Sequence, residues 1–257
     1  MTVTHDDLPG LWTRSLIAWP DGRRDIATQV AWLQGTSLYI DLRQPVARPD
    51  FSGVTGLRDL TQPQIAWLAT QEGFAGVLER EDQYFVWRRE IDFQPQALYS
   101  DAGTLRFEAD YMIEEGRDVA YIEHWHRDAT RATAPRWGAR LSDPESGRTG
   151  MILSVGTLFM IAVSRKLTLP PQLHLSECVA LSGSLELAQD LVDCELSLGR
   201  VTPAGWIIER SSLPWREGAT VSLSARDGRL ELAAGGSEPR LWTIVNVEGA
   251  PALGDAG

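Results

Sequence analysis

An all-β protein built as two antiparallel barrels is the architecture this sequence predicts. Short runs in which apolar and polar residues alternate with period two recur along the chain, with turn residues every ~8–12 positions. They add up to about sixteen strands, and no strand–helix rhythm interrupts them, so a parallel sheet is not expected. Sheets of that length must close or stack to protect their edges. A single barrel of about sixteen strands would enclose an aqueous channel, so two barrels of about eight strands each fit better. The polar stretch 128–134, followed by Pro135, marks the expected boundary. This gives an N-terminal barrel over residues 8–130 and a C-terminal barrel over residues 131–250.

Taken in order, the first strand opens at Gly10-Leu11-Trp12 and runs to about residue 19, where Pro20-Asp21-Gly22 turns it. Residues 26–43 read as a hairpin around Gln34-Gly35-Thr36. Its second run puts Leu38, Ile40 and Leu42 on one face and Tyr39, Asp41 and Arg43 on the other. Residues 45–58 are a loop, and one short helix over 62–72 follows this third strand. Thr61 is its N-cap, Gln64 completes a capping box, Leu60 and Ile65 form a hydrophobic staple, and Gly73 is the stop. Runs 74–79 and 84–93 pair across Glu81-Asp82, and runs 104–112 and 119–127 pair around Glu114-Glu115-Gly116.

In the second half, strands are expected over 136–141, 151–155, 158–165 and 173–181. Residues 184–198 alternate at both ends, which favours strands, although the middle fits a helix equally. Runs 192–201 and 205–213 flank Thr202-Pro203-Ala204. Runs 221–225 and 229–233 flank Asp227-Gly228, a strong two-residue hairpin signal. Residues 241–247 close the fold, and the small, polar tail from Gly249 is expected to fray.

The bulk composition narrows the function classes. The 257 residues carry a formal net charge of −11 at pH 7. Such a surface argues against nucleic acid and against an anionic membrane, both of which need clustered cations. Lys166 is the only lysine, and no function follows from that alone. No apolar run reaches the ~18 residues of a membrane helix; the longest candidate, 151–163, is cut by Ser154, Gly156 and Thr157. Residues 1–7 are polar and acidic and lack a basic-then-apolar export pattern. A soluble, cytoplasmic protein is therefore expected, with Cys178 and Cys194 as buried free thiols. Walker, Gly-x-Gly-x-x-Gly, His-Glu-x-x-His and Gly-x-Ser-x-Gly patterns are all missing, and no cofactor is expected.

The strand 121–127 is the densest in functional groups. His124 and His126 lie two apart and share a face, the spacing by which a strand supplies two ligands to one metal. A third ligand would have to come from His5, His174 or a carboxylate, and the plainer reading is a solvent-facing pair. The opposite face carries Tyr121, Glu123 and Trp125. The same aromatic-beside-charge pattern recurs in Trp12 and Arg14, in Tyr39, Asp41 and Arg43, and in Trp87 and Arg89. Trp32 lies in the partner strand of the first hairpin. If these faces point inward, they wall a semi-polar cavity that recognises an acidic or planar ligand. A buried Glu123 would then need Arg14, Arg43 or Arg89 as a partner. Aliphatic faces usually win the core, however, so the favoured reading turns Leu38, Ile40 and Leu42 inward and leaves the mixed faces outside.

Gly10-Leu11-Trp12 on the first strand resembles the Gly-x-Trp start of lipocalin-like barrels, where the tryptophan plugs the closed end. The Trp32-Leu33, Leu38-Tyr39 and Pro45 hairpin, the Gly73-Phe74-Ala75-Gly76 run and Glu123-His124-Trp125 are similar to a poorly characterised family of two-barrel, lipocalin-like proteins of fungi and bacteria. The likeness covers mainly residues 10–127. It departs from the lipocalin pattern in the early helix and in the lack of a recognisable late arginine motif. The resemblance implies a barrel able to hold a small apolar ligand, and it implies no catalytic residue. Non-catalytic binding of a small hydrophobic or amphipathic molecule is the expected function. The alternatives are an enzyme using Glu123 or Asp41 as acid–base, and a structural or interaction module. Trp12 itself is expected to be buried at the barrel floor, with its indole N–H on a loop carbonyl.

Overall fold

Each barrel is a meander in which nearly every strand pairs with the next in sequence, and in each the last strand returns to the first. The computed structural model describes residues 3–129, 133–235 and 238–250. The first sheet comprises β1 (Gly10–Ala18), β2 (Arg24–Asp25), β3 (Gln29–Gln34), β4 (Leu38–Gln44), β5 (Glu72–Glu81), β6 (Tyr84–Asp92), β7 (Asp101–Glu108), β8 (Tyr111–Gly116) and β9 (Ile122–Arg127). Strand β2 is a two-residue ribbon on β1, and β9 closes the remaining strands by pairing with β1. The second sheet comprises β10 (Arg136–Asp143), β11 (Arg148–Val155), β12 (Leu158–Val163), β13 (Glu195–Thr202), β14 (Gly205–Ser211), β15 (Thr220–Arg226), β16 (Arg229–Ala234) and β17 (Arg240–Gly249). It closes where β17 pairs with β10. Both barrels have eight antiparallel strands, so closure removes the exposed edges.

Local chemistry explains most of the turns. Asp227-Gly228 has positive φ at both residues, 50° and 73°, which suits the right-handed twist of β15 and β16. Helix α1 (Gln62–Leu68) begins as its sequence requires, with Gln64 Oε1 accepting from the Thr61 N–H and hydroxyl at 2.9 Å. Leu60 and Ile65 are both buried beneath it.

Several elements differ from expectation, each for a physical reason. Helix α1 ends at Leu68, and Gly73 sits inside β5 at φ 147°. A Cβ there would strike the Asp41 carbonyl of β4 and Leu196 of β13. The glycine therefore permits close approach rather than stopping the helix. Residues 173–181, read as a strand, contain helix α2 (Leu175–Ala180), and 184–198 contain helix α3 (Leu185–Leu191) before β13. Their caps are local: the His174 ring accepts from the Ser176 N–H at 3.3 Å, and Ser184 Oγ accepts from the Leu187 N–H at 3.1 Å. The described residues thus hold three α-helices rather than one. Glu114-Glu115-Gly116 is no turn, because the chain turns at Ala109-Asp110, with Ala109 at φ 46°, and Glu114 lies within β8. The expected boundary at 130–131 falls outside the described residues, as does the tail over 251–257.

The favoured reading of the strand faces is reversed. Tyr39, Asp41 and Arg43 point into the first barrel with Trp12, Trp32, Phe74, Trp87 and Trp125. Leu38, Ile40 and Leu42 point out of it, yet they are 2 %, 0 % and 0 % exposed. What buries them is the other barrel. They join one cluster with Met151, Leu153 and Val155 of β11, Leu158 and Met160 of β12, and Leu196 and Leu198 of β13. Ile65 and Leu68 of α1, Leu175 of α2 and Leu191 of α3 close its side. Aliphatic faces do win a core, but that core lies between the barrels.

Polar groups fasten the seam. Glu248 of β17 accepts from the backbone N–H groups of Thr36, Ser37 and Leu38 at 2.8, 2.8 and 3.0 Å, and from Ser37 Oγ at 2.8 Å. The β3–β4 turn thereby becomes a cradle for a carboxylate. Gly35 is needed in it, since a Cβ would meet Glu248 Oε1 and lie 2.6 Å from Leu153 Cδ1. Gln44 and Gln71 donate to the Ser211 and Ser212 carbonyls at 2.9 Å, and Arg48 forms a bidentate pair with Glu217 at 2.9 Å.

Trp12 is 2 % exposed and its Nε1 donates to the Leu8 carbonyl at 2.7 Å. The Arg127 guanidinium lies 4.5 Å from its ring centroid and bonds the Asp7 carbonyl. Trp12→Ala is expected to cost ~3–5 kcal/mol, the scale of a buried aromatic. Because one core is shared, melting followed by a probe in each half should drop as a single transition. Loss of the first half alone, or a change under ~1 kcal/mol as for a surface site, would contradict this.

Candidate functional site

The residues singled out on the mixed faces converge inside the first barrel, and they are joined by groups that the sequence did not point to. Arg14 on β1 donates from Nη1 to Glu123 Oε1 on β9 at 2.6 Å and from Nη2 to Asp25 at 3.2 Å. Arg43 on β4 donates to Asp41 at 2.8 Å and stands 3.9 Å from Glu123. Arg89 on β6 donates to Asp101 at 2.6 Å and to Asp92 at 3.3 Å, with its guanidinium 3.6 Å from the Phe74 ring centroid. Tyr121 donates its hydroxyl to Glu114 Oε1 at 2.7 Å, and Trp125 Nε1 donates to Glu114 Oε2 at 3.1 Å. Trp32 Nε1 donates to Gln34 Oε1 at 3.1 Å.

Asp25, Asp92, Asp101 and Glu114 are thus members of the network missed from sequence. The missed signal is a period-two one: Glu114 and Met112 on β8 alternate like the other inward pairs once the turn is moved to Ala109.

Electrostatics sorts the carboxyls. Asp41 and Glu123 are 2 % exposed, and burial pushes both upward while Arg43 and Arg14 pull them back. Glu114 is 3 % exposed and makes no ion pair among the described residues. Burial first, then the charges of Glu123 and Asp101, hold it well above the ordinary carboxylate range. That shift favours the neutral acid, and the carboxyl accepts hydrogen bonds from a phenol and an indole.

This interior is filled. The space bounded by Trp32, Asp41, Arg43, Phe74, Trp87 and Glu114 is about 10 Å³, room for roughly one water. His124 and His126 lie on the outer side of β9, where Tyr111 packs against both rings at 4.8 and 5.8 Å. Ser15 Oγ meets His126 Nε2 at 2.9 Å. Among the described residues no group of three or more His, Cys, Asp or Glu side chains gathers as a metal site.

A cleft of about 530 Å³, which shares Glu238 and Arg240 with a second of about 490 Å³, lies at one mouth of the second barrel. Strands β11, β13 and β17 begin there with Arg148, Glu195 and Arg240. Leu167, Leu213, Trp215 and Trp242 give it apolar wall, and Arg58, Lys166 and Arg216 give it charge. Arg58 pairs with Asp190 at 2.6 Å, Arg216 with Glu195 at 3.0 Å, and Arg148 with Asp193. None of these residues was singled out from sequence as a binding residue. They come from the ends of many strands and loops, so no window of sequence contains them together.

Glu114→Gln tests the upward shift of Glu114. A group raised in the folded state stabilises fully below its unfolded value, and that stability is lost as pH rises toward the folded value. From its ordinary value of 4.5 upward, wild-type stability should therefore fall relative to Glu114→Gln. The slope should approach ~1.4 kcal/mol per pH unit. Urea denaturation of both proteins from about pH 5 to pH 8 reads the difference. Parallel stability curves would show that Glu114 is ionised in the fold.

No protein-family model matches the chain, and neither does any curated protein. Among solved structures it is similar to an uncharacterized protein from Saccharomyces cerevisiae, YLR301w, with a TM-score of 0.57 at 12% identity over 94% of this chain and 99% of that one. The likeness is one of fold, and it spans nearly the whole of both chains.

Proposed function

We propose that this protein is a non-catalytic binder of a small amphipathic molecule, held in the cleft at the mouth of the second barrel. The observation that carries the reading is the contrast in space. The cleft offers about 530 Å³, within the ~300–1,000 Å³ of ligand pockets, whereas the first barrel offers about 10 Å³. The cleft lining mixes Trp215, Trp242, Leu167 and Leu213 with charged groups, which suits a molecule with an apolar body and a polar end. In this reading Trp12, Trp32, Trp87 and Trp125 stiffen the first barrel, with Arg14, Arg43 and Arg89 neutralising its buried acids. An enzyme using Glu123 or Asp41 finds less support. Both carboxylates face inward, but arginines occupy them and a substrate has no room beside them. The reading places the protein in a reducing compartment such as the cytoplasm, supported by Cys178 and Cys194, both free and buried.

Tryptophan emission titrated with a fatty acid, heme and terpenoid panel checks it. A saturable change is expected with at least one compound, and Trp215→Phe should shrink its amplitude. No response to any of them would remove the support for ligand binding.

A further inference from the structure

Two residues of the cleft lining carry buried donors without partners. Arg148 is 7 % exposed and its Nε has no hydrogen-bond partner; Trp242 is 1 % exposed and its Nε1 has none either. Both side chains line the cleft, and both orphaned atoms are donors. Buried donors without partners are rare and costly, and each calls for an acceptor that completes it.

Charge points the same way. The chain as a whole is at −11, yet the cleft has more cations than anions on its walls. Once Arg58, Arg148 and Arg216 are matched with Asp190, Asp193 and Glu195, Lys166 and Arg240 remain against Glu238 alone. Lys166 makes no ion pair among the described residues, and the nearest carboxylate to Arg240 is Asp143 at 4.0 Å. Asp143 is already held by Ser146 Oγ at 2.5 Å and by the Glu145 and Ser146 N–H groups at 3.0 and 3.3 Å. Burial, and then the neighbouring positive charge of Arg240, lower the basicity of Arg148. Like charges face each other here, and an anion beside them relieves the repulsion.

We propose that the cleft selects amphipaths whose polar end is an oxyanion, met by Arg240 and Lys166, with the apolar body against Trp215, Leu213 and Leu167. This rests on the binding reading above and adds the class of ligand to it. Arginine and lysine both recognise carboxylate and phosphate, and desolvated charge-assisted hydrogen bonds are the strong ones. Arg240 and Lys166 are both exposed, and the core contact of Arg240 is its guanidinium 5.5 Å from the Trp242 ring centroid.

Calorimetric titration of the intact protein with decanoate, decyl phosphate, decanol and inorganic phosphate tests this. At least one of the two acidic amphipaths should bind about ten-fold more tightly than decanol, and added salt should weaken it. Which of the two binds better tells a carboxylate from a phosphate source. Arg240→Ala and Lys166→Ala should each lower that affinity by about three- to ten-fold while melting as the wild type does. Decanol binding as tightly as both acids would overturn the oxyanion proposal and leave the binding reading standing. Inorganic phosphate matching decyl phosphate would overturn the part played by the apolar wall. Unchanged affinity in both variants would overturn the assignment of these cations. Binding of none of the probes would overturn both readings together.

Discussion

Leu38, Ile40 and Leu42 leave the barrel they belong to and are buried against the outer wall of its neighbour. Most other features of the molecule depend on that contact. An antiparallel barrel has two faces, and the usual division gives the aliphatic one to the interior and the polar one to water. Here a quadrant of each barrel wall is aliphatic on the outside, and the two quadrants cover each other. At ~25 cal/mol per Å² of apolar surface removed from water, this seam is a leading source of stability. Helices α1, α2 and α3 close its side, and Glu248 locks it by filling the β3–β4 turn.

The inside of the first barrel is thereby released from supplying all of the apolar burial. It holds a stack of tryptophans and a set of matched charges instead. Trp12, Trp32, Trp87 and Trp125 pack at centroid distances of 5.4 to 6.1 Å. Asp41 and Glu123 are met by arginine, and burial holds Glu114 well above the ordinary carboxylate range. A half-satisfied polar core would be worse than an apolar one, and this one is nearly complete, with Tyr39 Oη and Arg89 Nε left over. Its filled interior contrasts with the cleft of about 530 Å³ at the second barrel's mouth.

Much of this was legible in the chain. The strand count, the closure into two barrels, the α1 capping box and the burial of Trp12 with its indole on a loop carbonyl all follow from local patterns that the fold respects. Part of the inner network was legible too, since period two groups Arg14, Asp41, Arg43, Arg89 and Glu123 with the tryptophans, while Asp25, Asp92, Asp101 and Glu114 were missed. Which face is inside was not legible, because a strand carries no record of what covers its outer side. That information lies in the pairing of β4 with β11, β12 and β13, far apart in sequence. Helix α2 was misread as a strand, and α3 was left undecided for a related reason: Leu185 and Leu187 alternate as a strand would, but a short helix over the seam buries Ala188 and Leu191 instead. The mouth cleft was invisible because its residues meet only when the barrel closes.

Separating the halves tests the shared core most directly. A fragment of residues 1–129 retains every strand of the first barrel and loses the cover over Leu38, Ile40 and Leu42. Size-exclusion chromatography with near-ultraviolet circular dichroism should find no folded monomer, since a bare aliphatic patch drives association or unfolding. A monomeric fragment with the aromatic signal of the intact protein and a comparable melting temperature would show that the barrel stands on its own interior, and that the seam is not what holds the structure together.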